Sequence, residues 1–109
     1  MTLILNKKEI SKYLDIGPFF LFLDSAKILK KKNCAIGKLK IKKFHWTFSD
    51  HLLSKPIFPG TLLVETMCQT AMLIIYKNTE KEYSSKGVLR SVNITFKNAL
   101  EKKLTPINL

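Results

Sequence analysis

The 109 residues predict an α+β domain in which an antiparallel sheet wraps a long central helix. Three observations point there. Thr61–Lys77 (TLLVETMCQTAMLIIYK) has helical length and apolar residues around nearly its whole circumference, the pattern of a helix buried in the middle of something. Leu39 and Ile41 alternate with Lys38, Lys40 and Lys42, the period-2 pattern of a half-buried strand. Val92, Ile94 and Phe96 alternate in the same way. In so short a chain, a sheet is what remains to cover the helix.

The elements follow in order. Asn6–Leu14 reads as a short amphipathic helix, capped by Asn6, with Ile10 and Leu14 on one face and Gly17-Pro18 stopping it. Phe19–Leu23 is a dense apolar run, either a buried strand or a segment packed under the sheet. Ser25–Leu29 and Cys34–Lys42 read as two strands joined at Lys30–Asn33, their lysines forming a solvated face or a docking surface. Phe44–Asp50 is aromatic and leads into a loop, His51–Pro59, stiffened by Pro56 and Pro59. Asn78–Lys86 is a polar connection, Gly87–Phe96 a strand, and Lys97–Leu109 has no clear period. A single domain over 1–109 is expected.

Composition narrows the function. The formal net charge is +11, and Arg90 is the only arginine. Sequence-specific nucleic-acid readers favour arginine's bidentate fork, so a nucleic-acid partner is not expected. A lysine excess suits solubility or an acidic partner. No apolar stretch approaches the ~20 residues that span a bilayer. The opening MTLILNKKEI is too short for a signal core, so a cytoplasmic chain with Cys34 and Cys68 reduced is expected.

Few residues carry chemistry. Glu65 is the one acid inside the apolar helix; a buried carboxylate is usually paired or protonated, as a catalytic acid near neutral pH must be. Alternatively, Glu65 lies on one exposed strip with Thr61 and Gln69, at i−4 and i+4. His51 is a candidate general base, with His45 as a competitor. Pro59-Gly60-Thr61 opens the helix, where unpaired N–H groups and the dipole favour a developing oxyanion and glycine admits close approach. Loop punctuation alone also explains a Pro-Gly pair.

The stretch His51–Gln69 (HLLSKPIFPGTLLVETMCQ) resembles the core of the 3-hydroxyacyl-acyl-carrier-protein dehydratases, the FabZ/FabA-like hotdog enzymes, whose pattern runs GHFPGxPxxPGxLxxEAxxQ. His51 and Glu65 keep the family's spacing, fourteen positions apart. Gly17–Asp24 (GPFFLFLD) is similar to the family's YPFLLVD segment, and Ser91–Leu104 to the strand and turn after the helix. The resemblance implies a hotdog fold and removal of water from a 3-hydroxyacyl thioester. It makes His51 the base at the carbon beside the thioester carbonyl and Glu65 the acid for the leaving hydroxyl. Gly60 N–H would polarise the carbonyl, and Phe58, Pro59, Thr61 and Gln69 would contact substrate. It further implies a homodimer pairing His51 of one subunit with Glu65 of the other, an acyl carrier protein as partner, and neither metal nor cofactor.

Two departures stand out. GHFPG becomes Asp50-His51-Leu52-Leu53-Ser54, which loses the rigid Pro-Gly behind the histidine. The chain also ends at Leu109, where family members enter their last strands, so the hotdog is expected to lack them. A non-catalytic subunit that binds acyl chains or a catalytic partner is therefore the alternative expectation.

Overall fold

The computed structural model describes residues 2–78, with side chains as far as residue 75, and residues 88–109. The chain opens on a strand that the sequence reading did not anticipate, β1 (Thr2–Asn6). Leu3 and Leu5 turn inward, while Thr2, Ile4 and Asn6 face out. Asn6 then caps α1 (Lys7–Leu14) through a reciprocal box. Its side chain accepts from Glu9 N–H at 2.9 Å, and its own N–H donates to the Glu9 carboxylate at 3.1 Å. As expected, Ile10 and Leu14 are the buried face of α1. The helix ends at left-handed Asp15 (φ 56°), ahead of Gly17-Pro18.

Phe19–Leu23 forms no strand. Leu21, Phe22 and Leu23 are buried as an irregular segment beneath the sheet, with Phe19 and Phe20 exposed. The backbone groups that a neighbouring strand would use are taken by a side chain: Gln69 donates to Phe20 C=O and accepts from Phe22 N–H.

β2 (Ser25–Leu29) and β3 (Cys34–Lys38) form the expected hairpin around a 3₁₀ turn at Lys30–Lys32. β1, β2 and β3 make one antiparallel sheet in that order. Its register stacks Leu3, Ile28 and Ala35 in one inward row and Leu5, Ala26 and Gly37 in the next. The expected strand Cys34–Lys42 is broken at Leu39, because Asp24 intervenes: its N–H bonds Lys38 C=O and its carboxylate takes Lys40 N–H. Beyond the break, β4 (Lys40–Ile41) pairs with β5 (Ile107–Asn108). Leu39 and Ile41 are buried and Lys38, Lys40 and Lys42 exposed, as the alternation predicts. A four-residue helix, α2 (Thr47–Asp50), replaces part of the expected aromatic lead-in.

The long helix is α3 (Gly60–Asn78). It crosses the sheet at Gly37, where an added Cβ would run into Thr70 Oγ1 and lie 2.6 Å from Leu23 Cδ2. One core unites Leu5, Ile10, Leu14, Leu21, Leu23, Ala26, Ile28 and Leu73; a second unites Phe22, Leu39, Ile41, Phe48 and Phe58. The expectation of burial all round α3 is corrected. Leu73 is 1% exposed, but Met67 is 58% and Ile75 49% exposed, while polar Thr66 and Gln69 are buried. The sheet covers one side of the helix, and that side carries the polar stripe.

The expected strand Gly87–Phe96 is corrected as well. From Val88 onward the segment joins no ladder, and Val88, Leu89, Val92 and Phe96 are exposed. Gly87 and most of the polar connection Asn78–Lys86 lie outside the described residues. Cys34 and Cys68 are free thiols. Among the described residues, no helix is long and apolar enough to cross a membrane.

Candidate active site

His51 follows α2 directly and is half-buried. Its Nδ1 lies 2.8 Å from the carbonyl oxygen of Ile57. A carbonyl oxygen only accepts, so Nδ1 carries the hydrogen and Nε2 of the neutral ring keeps its lone pair. That is the tautomer a general base requires.

The loop that supplies this carbonyl is built without the Pro-Gly of the resembling motif. Leu52 turns the chain in the left-handed region (φ 54°), and Lys55 N–H closes the turn onto Leu52 C=O at 3.0 Å. The loop then runs beside residues 100–102. Phe58 N–H donates to Leu100 C=O at 2.8 Å, Lys102 N–H to Pro56 C=O at 3.0 Å, and Ile57 bridges Glu101.

Phe58 is buried in the second core and anchors the start of α3. Gly60 opens the helix, so its N–H and that of Thr61 have no acceptor within it. Leu62 N–H bonds Pro59 C=O at 3.0 Å, tightening the first turn. His51, Phe58, Pro59, Gly60 and Thr61 together line one cavity of about 440 Å³. The opposite wall is Phe96–Leu100, which the motif did not single out. Phe96 lies against Gly60: a Cβ there would meet its ring at 2.8 Å. The signal available for this wall was the similarity of Ser91–Leu104 to the segment that follows the helix in the family.

Glu65 does not line that cavity. It sits one turn further along α3, half-buried, and accepts a 3.1 Å hydrogen bond from Gln69 Nε2. The polar stripe read at i, i+4 is therefore real, and it faces inward at Gln69 rather than forming an exposed strip. The second Nε2 hydrogen of Gln69 goes to Phe20 C=O at 2.8 Å, and its Oε1 accepts from Phe22 N–H at 3.1 Å. The structure thus gathers His51, Gly60 and Thr61 in one place and Glu65 with Gln69 in another.

His45, the competing histidine, is an aromatic core residue. Its ring meets Phe58 edge-on at 5.4 Å between centroids and stacks on Trp46 at 5.7 Å and Phe22 at 6.3 Å. Nδ1 lies 2.8 Å from Thr47 Oγ1 and accepts from Thr47 N–H at 3.3 Å. Burial pushes its pKa below the ordinary 6.5, against the opposing pull of Asp24. Among the described residues, no group of three or more His, Cys, Asp or Glu side chains gathers to hold a metal ion.

Residues 16–106 match the model of a FabA-like domain. Curated relatives match as well. The chain is 35% identical over 82 residues to the 3-hydroxyacyl-[acyl-carrier-protein] dehydratase FabZ of Buchnera aphidicola subsp. Acyrthosiphon pisum (strain Tuc7), covering 69% of this chain and 50% of that protein. It is 30% identical over 90 residues to FabZ of Anaplasma marginale (strain Florida), covering 78% and 58%. It is 31% identical over 90 residues to FabZ of Sulfurimonas denitrificans, covering 79% and 60%. The chain spans about half to three-fifths of the length of these relatives. No solved structure matches. With the helix crossing its antiparallel sheet, and the family model matched over most of its length, the chain belongs to the FabA-like hotdog family.

Proposed function

We propose that this chain takes part in the dehydration of 3-hydroxyacyl thioesters carried on acyl carrier protein, giving trans-2-enoyl thioesters for fatty-acid or related acyl-chain synthesis. The observation that carries the reading is the His51 ring, held by Ile57 C=O in the tautomer with Nε2 unprotonated, in one cavity with the open N-terminus of α3. His51 Nε2 takes the proton from C2, and the C2–H electron pair becomes the C2=C3 bond. The C3–O bond breaks as Glu65 delivers a proton, and water leaves. Gly60 N–H, reinforced by the helix dipole, stabilises the charge that builds on the thioester oxygen. No step calls for a metal or redox cofactor.

Two features support a homodimer with Glu65 of a second copy facing His51. Within one chain Glu65 is absent from the His51 cavity, and Met67, Ile75 and the ladder-free residues 88–96 leave apolar surface open. The lysine-rich surface suits an acidic carrier protein. This reading goes with a cytoplasmic site of action.

Hydration of an enoyl thioester, followed by loss of enoyl absorbance, tests the proposal alongside solution mass. His51→Ala and Glu65→Gln should each lower kcat by at least about 10²-fold. Mixing the two variants should recover activity through hybrid dimers. The alternative is a non-catalytic hotdog subunit that binds acyl chains or a catalytic partner. Equal inactivity of the wild type and Glu65→Gln, in folded dimeric protein, would establish that alternative.

A further inference from the structure

The loop carrying His51 has lost the stiff Pro-Gly of its family motif, yet its histidine needs sub-ångström placement. Something else must hold it. The loop lies against residues 100–102 through two backbone hydrogen bonds, which together make the Ile57–Glu101 bridge. Across that seam stands a three-residue ionic cluster. Glu101 Oε1 lies 3.3 Å from Lys55 Nζ, and Oε2 lies 3.4 Å from Lys103 Nζ. Lys55 sits on the loop, at the end of the turn that starts from Leu52; Glu101 and Lys103 sit on the facing segment. The Glu101 side chain is only 18% exposed, although both lysines are 73% exposed.

We propose that Glu101 is a positioning residue for His51, and that its ion pair with Lys55 clamps the His51–Phe58 loop in place of the missing Pro-Gly. This rests on the dehydratase reading for its kinetic consequence, but not for its structural one. An isolated surface pair contributes little stability. Here the pair acts on a seam already aligned by backbone bonds, so it needs only to suppress the loop's sideways freedom. Hydrogen bonding from Lys55, the larger influence, and then from Lys103 holds the Glu101 carboxyl below its ordinary 4.5, so it is ionised wherever the enzyme would work. The chain of contacts is short: the Glu101 carboxylate holds Lys55 on the loop, the backbone bridge at Ile57–Glu101 aligns the seam, and Ile57 C=O fixes the His51 ring.

The test compares Glu101→Gln, Lys55→Met, Lys103→Met and the Glu101→Gln/Lys55→Met pair. The first two should each lower kcat about tenfold with KM little changed, and the double variant should lose no more than either single change. Lys103→Met should behave like the wild type, because Lys103 and Glu101 share one segment and their pair does not reach the loop. Nitrogen-15 spectra of the His51 ring give a readout without substrate. The wild type should show one tautomer protonated at Nδ1, and Glu101→Gln a mixture. An unchanged ring spectrum in Glu101→Gln, additive losses in the double variant, or equal losses for Lys103→Met and Lys55→Met would each overturn the clamp. A wild type that hydrates no enoyl thioester would sink the dehydratase reading, and the ring spectra would still decide this one.

Discussion

Gln69→Leu is the sharpest test of how the interior is held together. The side chain is 1% exposed and makes three hydrogen bonds, two of them to the backbone of the irregular segment that runs under the sheet. Leucine has similar bulk, so little cavity is created. What is lost is the partner of Phe22 N–H, which is buried, and that of Phe20 C=O, which is partly buried. A buried polar group left without a partner costs about 1–3 kcal/mol; with the partly buried Phe20 C=O at the low end of that range, the two together should cost roughly 2–4 kcal/mol. That is a large share of the ~5–15 kcal/mol available to a domain, and should lower the melting temperature by roughly 10–25 °C. Urea titration and calorimetry give the value directly, with Thr61→Ala, at an exposed position of the first turn of α3, as a control that should change stability by less than about 0.5 kcal/mol. A loss below about 1 kcal/mol for Gln69→Leu would refute the assignment of this segment's backbone bonds to Gln69.

The other predictions concern single contacts. Gly37→Ala should destabilise by about 1–3 kcal/mol in denaturant titration, because the new methyl overlaps Thr70 and crowds Leu23 where α3 meets the sheet. Leu52→Gly should stabilise by up to about 1 kcal/mol, since Leu52 holds a left-handed conformation while its side chain is exposed. His45 should make stability fall with acid. Its native pKa lies below the unfolded 6.5, so between the two values the unfolded chain binds more protons. The loss begins as pH drops through about 6.5 and levels off below the native pKa, and a melting series on His45→Phe should lack this step.

Much of the fold was legible because its signals are local. The capping residue Asn6, the face formed by Ile10 and Leu14, the β2–β3 hairpin and the extent of α3 each depend on residues a few positions apart. The errors arose where distant groups intervene. Asp24 takes the N–H that would have continued β3 past Leu39, and it is Gln69, by taking backbone groups a strand would need, that decides between the two readings left open for Phe19–Leu23. Periodicity cannot register a side chain nearly fifty residues away. The candidate residues His51, Gly60 and Glu65 stood out only together, through their spacing within a family-like motif, and the structure brings His51 and Gly60 to one cavity while leaving Glu65 outside it. Most of the cavity's second wall, from Lys97 to Leu100, and the ionic seam at Glu101 were not singled out, since Lys97–Leu109 has no period of its own.

Gln69 has a further consequence, for the orientation of one carboxylate. Phe22 N–H can only donate and Phe20 C=O can only accept, so the Gln69 amide has one permitted orientation. Its Nε2 therefore always faces Glu65 Oε2 with a hydrogen. That bond reaches Glu65 from one turn further along α3, so the fixed orientation of the amide is passed on to the carboxylate. Ile57 C=O imposes the same discipline on His51 by claiming Nδ1. Glu65 and His51 thus each have one of their two polar side-chain atoms engaged by the surrounding chain, so the orientation of both follows from hydrogen bonds inside the fold.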